Sequence, residues 1–162
     1  MIRIANREDI TCIAEMDLFV NRYNFKDILP NDFLYKRLSY EYCKEWFTAS
    51  FNDVVNNSGI EYYVLEDQNI IKGYFFIGFS PNKGECELIN FVIDVPFQKN
   101  QLGAMLMDYL MNLTANIKII TLGVFEKNLV AIKFYEKYGF KIESKHFSEN
   151  WKINIVKYRK EI

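Results

Sequence analysis

The stretch that most constrains the fold runs from Glu85 to Leu113. Leu88, Ile89, Phe91, Val92 and Ile93 are nearly continuous in apolar character, the pattern of a central strand covered on both faces rather than one. Behind them come Asp94-Val95-Pro96 and a polar turn. Leu102, Met105, Leu106, Tyr109, Leu110 and Leu113 then fall at the three- and four-residue steps of an amphipathic helix. The strand and the helix behind it belong to an α/β mixture. The junction also has a chemical consequence. Residues 98–104 present successive backbone N–H groups at the positive end of the helix dipole, an arrangement that cradles a pyrophosphate. Gly103 and Ala104 add little bulk there, and Lys99 adds charge. Taken alone, the segment reads first as a capped loop joining strand to helix.

The flanking sequence supplies the other elements. Ile2 to Ala5 reads as a first strand, and Asn6 caps a helix through about Val20, with Ile10, Ile13 and Ala14 inward. A polar and aromatic loop, Asn21 to Pro30, follows. Asn31 then caps a second helical region, clearest where Cys43, Trp46, Phe47, Ser50, Phe51 and Val54 share a face. Asn56-Asn57-Ser58-Gly59 ends it. Ile60 to Glu66 and Ile70 to Phe79 form a hairpin about Asp67-Gln68-Asn69, with Gly73 and Gly78 signalling bulges or close approach. Ser80 to Gly84 is a loop before the central strand, Glu85 to Ile93. Lys118 to Gly123 is a strand, Asn128 to Tyr138 a helix stopped by Gly139 in the left-handed conformation. Phe140 to Phe147 and Trp151 to Arg159 close the chain around Ser148-Glu149-Asn150. The order β-α-α-β-β-β-α-β-α-β-β gives an α/β (mixed α+β) fold whose sheet is too mixed to be doubly wound.

A chain of 162 residues suits a single domain over 1–162. Half of it is apolar and 17% aromatic, which argues against disorder. Twenty basic residues against 21 acidic give a net charge of −1, so no basic face singles out nucleic acid as a partner. Cys12, Cys43 and Cys86 are scattered and odd in number, matching neither a disulfide framework nor a zinc site. No metal is expected. The first nine residues lack the apolar core of a signal peptide, and no apolar run approaches the roughly 20 residues that span a bilayer. The expectation is a cytoplasmic chain without a membrane partner.

The second helix changes the reading of the first. Asn128 to Phe140 runs Asn-x-x-Ala-x-x-Phe-Tyr-x-x-x-Gly-Phe, with Asn128 and Tyr135 on one face. Singly, Asn128 is an ordinary cap, and Phe134 and Tyr135 are ordinary core aromatics. Two such strand-to-helix junctions in order, however, resemble the GNAT superfamily of N-acetyltransferases, which use acetyl-coenzyme A. Tyr63 to Gly73 is similar to the family's second and third strands, and Val92 to Gln98 to the end of its fourth strand and the start of its coenzyme loop. The resemblance covers nearly the whole chain. It implies a central, mostly antiparallel mixed sheet of about seven strands with strands four and five splayed, and about four helices. It also implies a coenzyme site. The pantetheine arm would bond backbone groups of Phe91, Val92 and Ile93. The pyrophosphate would lie beyond Gln98 on the amides of Lys99, Asn100, Gln101, Leu102, Gly103 and Ala104. Asn128 would touch pantetheine, Phe134 would flank the coenzyme, and Tyr135 would stand near the sulfur. One position departs from the pattern: Gln101 stands where the family usually has Gly.

Acetyl transfer to an amine needs a base for the amine, a donor for the oxyanion and an acid for the leaving thiolate. Tyr135 suits the acid role; it alternatively only orients the thioester. Glu87, eleven residues before Gln98, is the first choice of base, directly or through water, because some relatives carry a catalytic Glu there. Glu85 shares its face, and a solvated strand end is the competing reading. Leu122-Gly123-Val124 lacks the Glu that other relatives place on strand five. The resemblance assigns the oxyanion to the Ile93 N–H. His146, the one histidine, reads as structural or exposed. Cys86, between two glutamates, is a poor nucleophile, which favours direct attack in a ternary complex. The acceptor site would be built from the first two helices, the loop Tyr23 to Tyr42 and the closing hairpin. In that loop Tyr23, Phe25, Phe33, Tyr35 and Tyr40 with Asp27, Asp32 and Glu41 suit a cationic amine or simply pack the second helix. A small molecule, a protein N-terminus and a lysine stay open as acceptor, as do an oxygen acceptor, a longer acyl group and a homodimeric assembly. The alternative function is a catalytically weak or inactive acyl-coenzyme A-binding regulatory module.

Overall fold

The computed structural model describes residues 1–55, 59–80 and 84–162. The expected helix stop at Asn56 to Ser58 and the loop residues Pro81 to Lys83 lie outside them. Seven strands, β1 (Ile2–Ile4), β2 (Ile60–Asp67), β3 (Ile70–Ser80), β4 (Glu85–Ile93), β5 (Ile119–Phe125), β6 (Lys141–Ser148) and β7 (Ile153–Glu161), form one sheet in the order β1-β2-β3-β4-β5-β7-β6. Every described pairing is antiparallel except β4 with β5. The α-helices among the described residues are α1 (Asp9–Asn24), α2 (Tyr40–Val55), α3 (Leu102–Leu113) and α4 (Leu129–Lys137). This is the mixed α/β sheet expected from the sequence.

Strand alternation divides the core in two. Tyr62, Val64, Tyr74, Phe76 and Val92 face α1 and α2, packing on Ile13, Cys43 and Phe47. Tyr63, Leu65, Phe75, Ile77 and Leu88 face α3 and α4, packing on Leu106, Leu110 and Tyr135. Burying each large chain of this kind stabilises the fold by about 1.5–3 kcal/mol.

The start of α1 is a reciprocal cap: Asn6 Oδ1 accepts from the Glu8 N–H at 2.8 Å, and Asp9 Oδ2 accepts from the Asn6 N–H at 2.8 Å. The helix runs to Asn24, beyond the expected Val20. Asn21 Nδ2 donates to the Asp17 carbonyl, and the Arg22 guanidinium donates to the Leu34 and Leu38 carbonyls, so the polar last turn is held in place. The second helical region differs from expectation. Phe33–Arg37 is a π-helical turn closed by Leu38 N–H on the Phe33 carbonyl, and α2 starts afresh, with Ser39 Oγ accepting from the Tyr42 N–H at 3.1 Å. Strand β5 also exceeds its expected end at Gly123, because Val124 and Phe125 continue to pair with Val156 and Ile155 of β7.

Candidate active site

The parallel ladder is short. Glu85 to Leu88 pair with Ile119 to Leu122, and there it stops. Strand β4 continues along β3 to Ile93, opposite Gly73, while β5 continues along β7 to Phe125. The divergence begins at a bulge. Leu88 faces Ile77 and Asn90 faces Phe76, so Ile89 is an extra residue that bends β4.

The register decides which β4 groups face the gap. The Asp94 N–H donates to the directly opposite Lys72 carbonyl at 2.9 Å. By antiparallel alternation, Val92 then forms a hydrogen-bonded pair with Tyr74, whereas Phe91 and Ile93 sit in non-hydrogen-bonded pairs with Phe75 and Gly73. The backbone groups of Phe91 and Ile93 therefore point away from β3, into the gap, and those of Val92 do not. Val92 instead buries its side chain against α1 and α2. The Ile93 carbonyl accepts from Gln98 Nε2 at 3.0 Å, which ties the following loop to the strand end.

That loop opens with a short 3₁₀ turn, Val95–Phe97, capped by Asp94 Oδ1. Lys99 and Gln101 have φ of +65° and +62°. Gln101 thus holds the left-handed conformation that suits glycine, at a cost of about 1–2 kcal/mol. It is exposed and makes no side-chain cap to α3. The first helical hydrogen bond there runs from Met105 N–H to the Gln101 carbonyl, which leaves the amides of the first turn free of a side-chain partner. Lys99 and Asn100 are exposed, and Leu102 and Ala104 half-buried. A Cβ on Gly103 would meet Phe134 and Ile93 at ordinary distances of 3.8 and 3.9 Å, so the protein side does not itself require glycine there.

On α4, Asn128 Oδ1 accepts from the Ala131 N–H at 3.2 Å, as expected of a cap. Tyr135 is 8% exposed, with its ring edge-on to Phe91 and Phe140 at 6.3 and 5.8 Å; Phe134 tilts over Phe91 at 5.8 Å. Burial pushes the Tyr135 phenol above its usual range, so it stays protonated at neutral pH.

A cavity of about 490 Å³ occupies the gap. Of the residues expected from the sequence, Glu87, Phe91, Asn128 and Tyr135 line it together. Val92, Ile93, Phe134 and residues 98–104 are not in its wall; the loop lies beyond the end of β4. Glu87 is exposed at the rim. Near it Lys157 bonds Glu143 at 2.8 Å, and its pKa is raised by that bond, with smaller contributions from Glu87 and Glu85.

The one acidic residue of the wall besides Glu87 was not singled out in the sequence: Asp17 of α1. Tyr74 Oη donates to Asp17 Oδ1 at 2.6 Å, Asn90 Nδ2 donates to Tyr74 Oη at 3.2 Å, and the Cys43 thiol lies 3.9 Å from Asp17 Oδ2. Protein encloses this carboxyl and raises its pKa, while the cavity leaves the residue half-buried. Its sequence signal was its position, three and four residues from Ile13, Ala14 and Val20 on the inward face of α1.

The acidic residues of the Tyr23 to Tyr42 loop are elsewhere. Asp27, Asp32 and Glu41 are exposed, and Asp32 pairs with Lys36 at 2.8 Å. Of that loop's aromatics Phe25 and Tyr42 reach the cavity; Phe33 is core, and Tyr23 and Tyr35 are exposed. His146 is exposed on the edge strand β6. Cys86 faces the α3/α4 core, where burial, rather than its glutamate neighbours, pushes its thiol up to about 12.

Among the described residues, the one parallel pair of the mixed sheet splays ahead of a helix start that has no side-chain cap. The acetyltransferase (GNAT) family model matches residues 23–140, and the chain belongs to that family. Solved structures agree in fold. The PaiA N-acetyltransferase of Thermoplasma acidophilum, in complex with coenzyme A, superposes with a TM-score of 0.82 at 18% identity, over 100% of this chain and 98% of its own. RimL, a ribosomal L7/L12 alpha-N-protein acetyltransferase in complex with coenzyme A, gives 0.76 at 14% identity, over 99% and 93%. A mutant of the spermidine N-acetyltransferase SpeG from Vibrio cholerae gives 0.73 at 18% identity, over 99% and 94%.

Proposed function

We propose that this chain is a single-domain N-acetyltransferase that carries the acetyl group of acetyl-coenzyme A to a primary amine by direct attack in a ternary complex. The observation that carries this reading is the pairing of Phe91 and Ile93 backbone groups turned toward the β4/β5 gap with the buried Tyr135 side chain in the wall of the cavity that occupies it. The residues fit the coenzyme. Phe91 and Ile93 would bond pantetheine, with Asn128 and Phe134 beside it. The first-turn amides of α3, with Lys99, would hold the phosphates.

The coenzyme supplies an activated acetyl group as a thioester. The ammonium first gives one proton to a carboxylate or water; attack forms the N–C bond and the C–S bond breaks, the sulfur takes a proton from Tyr135, and the proton shed by the acylated nitrogen returns to Tyr135, directly or through water. Glu87 is the rim carboxylate for the first transfer, directly or through water. Small molecules, protein N-termini and lysines all fit this chemistry; neighbours of the same fold carry names for spermidine and for a ribosomal protein N-terminus. The reading places the enzyme in the cytoplasm and is compatible with a homodimer.

Calorimetry with acetyl-coenzyme A followed by a thiol-release assay over a panel of amines tests it. Binding together with release from at least one amine is the expected result. Gln101, with its side chain at the phosphate cradle, favours a second reading, an acyl-coenzyme A-binding module without turnover. Binding without release from any amine would favour that module, and no binding would overturn both.

A further inference from the structure

Asp17 is an enclosed carboxylate with no ion pair among the described residues. Its hydrogen-bond partners are Tyr74, Asn90, Asn21 and Cys43, all neutral. Arg22, on the same helix, is committed to the Leu34 and Leu38 carbonyls. A charge in such a place is costly until a cation arrives. The surroundings suit one: Phe25, Tyr42, Trp46 and Phe47 share the cavity wall with Asp17, and aromatic faces attract ammonium groups.

Position narrows the role. Asp17 belongs to the layer of α1 and α2, and Tyr135 to the layer of α3 and α4 on the opposite face of the sheet. One cavity joins them through the β4/β5 gap. Tyr74 rises from β3 and meets Asp17 with its terminal hydroxyl, so the carboxylate stands a full tyrosine side chain off the sheet. Asp17 and Tyr135 thus enter the cavity from opposite faces of the sheet, so that one acceptor could meet each with a different nitrogen. Resting on the acetyltransfer reading above, we propose that the acceptor is an aliphatic diamine or polyamine, and that Asp17 seats its second, non-reacting ammonium at the α1/α2 end of the cavity.

The test is calorimetry of 1,4-diaminobutane, 1-aminobutane and 4-amino-1-butanol on the full chain with coenzyme A present, with thiol release from acetyl-coenzyme A scored separately. The diamine is expected to bind on the order of ten-fold or more tighter than either single-charge amine. Asp17→Asn keeps an acceptor for the Tyr74 hydroxyl and is expected to abolish that preference while leaving coenzyme affinity unchanged. Equal binding of the three amines by the unmodified protein, or a preference that survives Asp17→Asn, would overturn the proposal. The wild-type comparison needs no variant, so a misfolded Asp17→Asn leaves it decisive. Release from 1-aminobutane as efficient as from the diamine would sink the Asp17 seat and leave acetyltransfer standing. Diamine-selective binding lost in Asp17→Asn, with no release from any amine, would do the reverse.

Discussion

Leu88 of β4 and Leu122 of β5 form the last rung of the sheet's parallel ladder, and Ile89, the next residue on β4, is the bulge that turns the strand away. The gap is thus set by register, not by a missing side chain. Both strands keep their outer partners, so opening it costs only the β4–β5 hydrogen bonds beyond Leu88. Of the peptide groups of Phe91 and Ile93 that lose a strand neighbour, the Ile93 carbonyl takes Gln98 Nε2, and the others are those the proposed coenzyme would satisfy.

Tyr135→Phe removes one hydroxyl from a ring held by Phe91 and Phe140. Turnover should fall about a hundred-fold if the phenol is the general acid, with coenzyme affinity by calorimetry nearly unchanged. Because burial lifts this phenol above its usual range of about 10, the acid form persists throughout neutral and mildly alkaline pH. The rate should show no alkaline limb from Tyr135 below that value. An unchanged rate in the variant would remove Tyr135 from the chemistry.

Gln101→Gly relieves a left-handed φ of +62° at the cost of a more flexible unfolded chain, two effects of about 1 kcal/mol each and opposite sign. Melting should therefore move little. Coenzyme binding should hold or tighten, since a side chain leaves the proposed phosphate cradle and no amide is lost. A large loss of affinity would mean that the Gln101 side chain itself contacts the coenzyme.

Much of this site is legible in sequence because its signals are local. The Asn128 cap, the Gly139 stop at φ +84° and the hairpin turn at Gln68 and Asn69 all depend on a few adjacent residues. The choice among Phe91, Val92 and Ile93 is not local. It depends on the bulge at Ile89 and on pairing with β3, and one step of register exchanges the groups that face the gap. Asp17 was hidden for the same reason. Its inward position follows helical spacing, but its partners Tyr74 and Asn90 come from strands distant in the chain. The loop acids Asp27, Asp32 and Glu41, conspicuous in composition, belong to the solvated surface.

Arg3 ties the first strand to the cap of α1. Its guanidinium bonds Asp9 at 2.7 and 2.9 Å and Glu66 at 2.6 Å. Burial alone would raise the Asp9 pKa, but the bonds from Arg3 and the Asn6 amide outweigh it and leave the net value lowered. A carboxylate lowered on folding contributes stability above its unfolded pKa of about 3.9 and loses it as pH falls through the folded value. Arg3→Leu should therefore cost about 1–3 kcal/mol in urea unfolding at pH 7. The penalty should shrink below the usual carboxylate range, where Asp9 is neutral in both proteins. A pH-independent penalty would show that Arg3 acts through packing alone.

Gly73 faces Ile93 across β3 and β4, where a Cβ would lie 2.7 Å from the Val92 carbonyl oxygen and 2.7 Å from Ile93 Cδ1. The side-chain atom can swing aside; the backbone oxygen cannot without moving β4. Gly73→Ala should therefore push the end of β4, the part that borders the gap and carries the Gln98 tie to Ile93. A loss of about 1–3 kcal/mol in stability is expected, the usual cost of overpacking. The further consequence separates this from a generic core defect. Coenzyme affinity should fall with it, because the Phe91 and Ile93 peptide groups shift relative to the α3 amides. Gly78→Ala is the control: its Cβ would meet Ile89 Cδ1 at 3.3 Å, a side-chain end that can turn away. Loss of coenzyme binding in Gly73→Ala but not in Gly78→Ala would tie the site to the position of β4, and equal effects would break that link.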